Sequence, residues 1–142
     1  MEENEHTLSL RLSNELGELS RLQEVIESLP GRMNLPPGMI MPINLALEEA
    51  FTNIVNYAFN DKDPHAIGVD ITRREKRLEI RITDDGRPYD PTAREDPDVA
   101  LPAEDRKVGG LGIFLIKKIM DEVVYRRENE KNILTLIKSL PI

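Results

Sequence analysis

The chain has 142 residues, no cysteine and a formal charge of −7 from 26 acidic and 19 basic side chains. That length suits one domain able to bury its own core. The missing cysteine excludes disulfides, thiolate metal sites and a cysteine nucleophile, and the acidity argues against generic binding to nucleic-acid phosphates. No apolar run is long enough to span a bilayer. The acidic start MEENEHTLSLRL lacks the basic opening of a secretory signal, so a cytoplasmic protein is expected.

Leu8, Leu10 and Leu12 alternate with polar residues and predict a strand. Helical spacing then takes over through Leu16, Leu19, Leu22, Val25, Ile26 and Leu29, giving a helix over 14–29 that Pro30-Gly31 should end. A second helix should start between 37 and 42, since proline is tolerated in a first turn, and run to about Phe59. The segment 60–64 closes it as a turn. Ile67, Val69 and Ile71, then Leu78, Ile80 and Ile82, alternate as two strands of a hairpin. Residues 84–112 form a long aperiodic segment, of a kind that often carries function. Leu111–Val124 regains helical spacing, and Ile133–Ile137 reads as a last strand. The order predicts one α+β domain over 1–142, a two-layer sandwich with helices on one face of a mixed, mostly antiparallel sheet.

Three stretches hold candidate chemistry. On the second helix, Glu49, Asn53, Asn56 and Asn60 share one stripe opposite an apolar face. A solvated surface would explain such a stripe, but asparagine is a poor helix former. A carboxamide oxygen can ligate Mg²⁺, and a carboxylate one turn earlier can accept a proton. The second stretch, 84–91 (DDGRPYDP), follows a strand. Asp84 there can accept a hydrogen bond from an exocyclic amine, and Gly86 removes a Cβ and admits a flat ring, although Asp-Gly turns are common. The third stretch, Gly109-Gly110-Leu111-Gly112, opens a helix whose first N–H groups suit phosphate, without the spacing of a Walker loop or a dinucleotide fingerprint. Arg106 and Lys107 precede it and are candidates for a terminal phosphate, although the charge run Glu104-Asp105-Arg106-Lys107 reads more simply as solvated surface. His6 and His65 are isolated, so no zinc site is expected.

In order and spacing, Glu49-Ala50-Phe51-Thr52-Asn53, Asp84 to Pro91 and Gly109 to Ile116 resemble the N, G1 and G2 boxes of the ATP-binding fold shared by gyrase, Hsp90, MutL and histidine kinases (the Bergerat or GHKL fold). The nearer resemblance is to the bacterial anti-sigma-factor serine/threonine protein kinases, and it covers about residues 7–140. It implies ATP and Mg²⁺ as cofactors, Asn53 as the metal ligand and Glu49 as the catalytic base. It also implies Asp84 as the adenine reader with Gly86 beneath the ring, and Asn56, Pro88, Gly109, Gly110, Leu111 and Gly112 as nucleotide contacts. The segment 92–108 would be an ATP lid carrying Arg106 and Lys107. The same resemblance implies a STAS-type anti-anti-sigma protein as substrate, a sigma factor as the alternative partner, and a homodimer. A sequestering ATP/ADP-binding module and an ATP hydrolase are the rival readings.

Overall fold

The computed structural model describes residues 6–93 and 110–140. Strand β1 (His6–Ser13) turns Leu12 into the core. The predicted helix over 14–29 is divided into a 3₁₀ turn at Leu16–Glu18, α1 (Leu19–Glu27) and α2 (Leu29–Met33). Pro30-Gly31 does not end the helical run. Pro30 occupies the first turn of α2, where it has no hydrogen bond to lose, and Leu29 and Met33 bury one turn apart. The stop comes at Asn34, whose φ of 56° is left-handed. Arg73 secures this end by donating from Nη1 to the carbonyls of Met33 (3.1 Å) and Asn34 (2.9 Å).

Helix α3 (Ile40–Tyr57) follows a 3₁₀ turn at Pro37–Met39, inside the predicted window. It buries Ile43, Ala46, Leu47, Ala50, Phe51 and Ile54 against the sheet. Strands β2 (Ala66–Arg74) and β3 (Arg77–Asp84) form the predicted hairpin, with Ile67, Val69, Ile71, Leu78, Ile80 and Ile82 all facing the helices.

The last helix, α4 (Gly110–Ile119), ends five residues before the predicted Val124, and Glu122–Glu128 is strand β4. The run Val123-Val124-Tyr125 is better suited to a pleated surface than to a helix, and Asp121 already donates its N–H to Ile137 of the sheet. A two-residue turn, Asn129-Glu130, with φ of 53° and 62°, leads into β5 (Lys131–Ser139). The five strands run β1-β2-β3-β5-β4, and every neighbouring pair is antiparallel. The order places β5 beside β3, so Asn132 stands directly across from Asp84. The helices cover one sheet face, as an α+β sandwich requires.

Candidate active site

A cleft lies where the C-terminal half of α3, α4, the end of β3 and strands β4 and β5 converge. Its apolar walls come from Ala50, Ile54, Ala58, Ile113, Ile116 and Leu134, with Tyr89, Pro91 and Tyr125 beside them. Its polar groups are Asn53, Asp84 and Asn132, the three buried polar side chains of the described residues. An apolar cleft with a few converging polar groups is the usual form of a small-molecule site. Its enclosed part holds little more than a water molecule, so a larger ligand must part the rim residues.

The α3 stripe divides. Around the helix axis, Asn53 stands about 40° from Glu49 toward Ala50 and Ile54, whereas Asn56 stands about 20° the other way. Asn53 is therefore buried in the cleft and Asn56 is exposed and outside it, as is Asn60. The carboxamide of Asn53 has no hydrogen-bond partner among the described residues. Glu49 is half-buried and meets the first turn of α4. A Cβ added at Gly112 would lie 2.9 Å from Glu49 Oε1, so the carboxylate occupies the space that glycine leaves. Ile113, next in the chain, lines the cleft. Gly110, Leu111 and Gly112 form the opening turn of α4, whose leading N–H groups lack helical partners. Arg106, Lys107 and Gly109, with nearly all of the predicted lid, lie outside the described residues.

Asp84 ends β3. Its Oδ1 accepts from the Gly86 N–H (2.8 Å) and from Asn132 Nδ2 (2.9 Å), while Oδ2 has no partner among the described residues. Burial pushes this carboxyl above the usual range. The Asn132 and Gly86 hydrogen bonds and the Arg127 charge oppose the shift, and the Asp85 charge adds to it.

Sequence alone admits a flat ring against the backbone at Gly86, whereas the structure gives the space beside its Cα to Ala58. A Cβ on Gly86 would stand 2.4 Å from the Ala58 carbonyl oxygen. Glycine is required here because the loop folds onto the end of α3: the Arg87 N–H donates to Ala58 O at 2.8 Å and Arg87 Nε to Tyr57 O at 2.9 Å. Both carbonyls belong to the last turn of α3, which has no internal donors for them. Pro88 is exposed and outside the cleft. Tyr89 stacks on Tyr57 at the rim, ring centres 6.1 Å apart.

Asn132, Tyr125 and Arg127 belong to this site and escaped the sequence reading. Asn132 Oδ1 accepts from Tyr125 OH (2.5 Å) and Arg127 Nη1 (3.1 Å), and Arg127 Nη1 also reaches Gly86 O (2.8 Å). Only the pairing of β3 with β5 and the existence of β4 bring them together. His65 is not isolated. It bridges Asp61 (2.8 Å) and Asp85 (3.1 Å) and stacks on Phe59 at 4.2 Å. Asp61 first, and Asp85 less, raise its pKa.

The family model of the histidine kinase-like ATPase domain matches residues 12–138 of the chain. The serine-protein kinase RsbW of Listeria monocytogenes serotype 4a is 34% identical over 121 residues, covering 82% of this chain and 76% of that one. The serine/threonine-protein kinase BtrW of Bordetella bronchiseptica is 34% identical over 94 residues, 66% of each chain. RsbW of Halalkalibacterium halodurans is 32% identical over 108 residues, 73% of this chain and 65% of its own. The chain belongs to the histidine kinase-like ATPase family, and its relatives place it beside the RsbW serine-protein kinases. Among the described residues no helix is long and apolar enough to cross a membrane.

Proposed function

We propose that the protein transfers the γ-phosphoryl group of ATP to a serine or threonine hydroxyl of a partner protein. The observation that carries this reading is one cleft lined by the buried carboxylate of Asp84, one oxygen of which is held by Asn132, and by the carboxamide of Asn53, with Glu49 nearby at the start of a glycine-led helix. Asp84 Oδ2 accepts from the exocyclic amine of adenine, and the leading N–H groups of α4 receive phosphate oxygens. The described residues hold no cluster of three acidic or histidine ligands. Mg²⁺ is commonly held by one or two protein oxygens together with substrate phosphates and water. Asn53 would hold it, and when bound it neutralises charge on the phosphates.

In the transfer, the acceptor oxygen bonds to the γ-phosphorus, the bond to the bridging oxygen of ADP breaks, and the hydroxyl proton passes to Glu49. Positioning and charge stabilisation carry most of such a step, with a general base adding about 10²–10⁴-fold. The relatives are named serine and serine/threonine protein kinases; the acceptor class that the family resemblance implies is a STAS-type anti-anti-sigma protein, with a sigma factor as the alternative partner and a cytoplasmic homodimer as the working form. Incubation with labelled ATP, Mg²⁺ and candidate STAS proteins tests this, with the phosphorylated residue mapped by mass spectrometry. Phosphoserine or phosphothreonine on the partner supports it. ATP binding without transfer would leave a sequestering module, and phosphate release without an acceptor would leave a hydrolase.

A further inference from the structure

We infer that Asn132 sets the purine preference of the cleft, by occupying one oxygen of Asp84 so that a single acceptor is left for the base. The inference rests on the nucleotide reading above and goes beyond it in naming what separates adenine from guanine.

Asn132 lines the cleft but has nothing left to offer a ligand. Its Nδ2 donates to Asp84 Oδ1 at 2.9 Å and to Arg87 O at 2.8 Å, and its Oδ1 accepts from Tyr125 OH and Arg127 Nη1. A carboxamide has two donor hydrogens and two acceptor lone pairs, and all four are used. The orientation is fixed as well. Turning the amide over would face its NH₂ toward the Arg127 donor and its oxygen toward two acceptors. Asn132 is thus a positioning residue acting through Asp84.

Asp84 Oδ1 is in the same condition, since Asn132 and the Gly86 N–H take both of its acceptor sites. Oδ2 alone remains. A carboxylate with two open oxygens matches the adjacent N1–H and N2–H donors of guanine with a two-pronged pair. A carboxylate with one open oxygen matches the single exocyclic amine of adenine, while guanine keeps a second donor unpaired in a buried site, where the loss is large. The selectivity therefore lies in strand β5, across from the carboxylate that makes the contact.

The test is the ratio of ATP to GTP affinity, measured by calorimetric titration with Mg²⁺ for the wild-type chain, Asn132→Leu and Tyr125→Phe, with thermal unfolding recorded for each. The wild type should prefer ATP. Asn132→Leu reopens Oδ1, so ATP should weaken, GTP should hold or gain, and the preference should narrow about tenfold. Tyr125→Phe removes one hydroxyl that holds Asn132 and leaves the buried strand pairing intact, so it should narrow the preference a few-fold; it decides the matter if Asn132→Leu fails to fold. A merely structural role would weaken both nucleotides equally. An unchanged ratio in the folded variants, or a wild type without preference, overturns the inference and leaves the nucleotide site standing. A wild type that binds neither nucleotide overturns the site reading itself, and this inference with it.

Discussion

The substitution Asp84→Asn separates the fold from the function at one atom. The new carboxamide would keep an oxygen at the Oδ1 position, still accepting from the Gly86 N–H and Asn132 Nδ2, the two bonds that tie β3 to its loop and to β5. What changes is Oδ2, which is replaced by an NH₂ group facing a ligand amine that also donates. One hydrogen bond to a charged acceptor is worth about 1.5–3 kcal/mol, so ATP should bind roughly 10- to 150-fold more weakly. Stability should move the other way. Burial raises the Asp84 pKa in the folded state, so its stabilising contribution is complete below the unfolded carboxylate pKa, about 4, and is lost as pH rises through the folded value. Above that value the ionised wild type bears that cost and the Asp84→Asn variant does not. Calorimetric titration with ATP and Mg²⁺, paired with thermal melts from pH 4 to 8, reads both effects. An affinity within about twofold of wild type, or a melting temperature several degrees lower at pH 7, would refute the reasoning.

Glu49→Gln should lower phosphoryl transfer by about 10²–10⁴-fold with ATP affinity preserved, read as single-turnover transfer to the partner against titration. Gly112→Ala should fold normally, because its Cβ meets only the end of the Glu49 side chain at 2.9 Å, yet transfer should fall as that carboxylate is displaced. Gly86→Ala should lower stability by about 1–3 kcal/mol, since its Cβ meets the backbone of Ala58; chemical denaturation measures it. The raised pKa of His65 gives stability that is complete below about pH 6.5 and lost as pH rises through the folded value. His65→Gln should remove that slope from melting temperatures taken between pH 5.5 and 8.

The parts of the fold carried by period and punctuation were readable from the chain alone. The alternating leucines of β1, the β2–β3 hairpin and the window for α3 are local patterns, and each depends on residues a few positions apart. The errors came where tertiary pairing overrode local pattern. Pro30-Gly31 reads as a stop, but Leu29 and Met33 need one more helical turn to reach the core. Val123–Tyr125 continues the spacing of α4 and becomes strand only because β5 offers an edge. In the candidate site, Glu49, Asn53 and Asp84 were visible because their type is unusual at their place. Asn132 was not, since a polar residue heading a strand has no meaning until Asp84 is known to face it. Asn56 shared a stripe with Asn53, and a rotation of some 60° about the helix puts it in solvent.

The most direct measurement is a crystal structure with a non-hydrolysable ATP analogue and Mg²⁺. The adenine amine should lie on Asp84 Oδ2, the metal on Asn53 and the phosphates at the opening turn of α4 beside Glu49. A nucleotide seated elsewhere, such as the concavity on the open sheet face around Gly68 and Asp70, would contradict that placement.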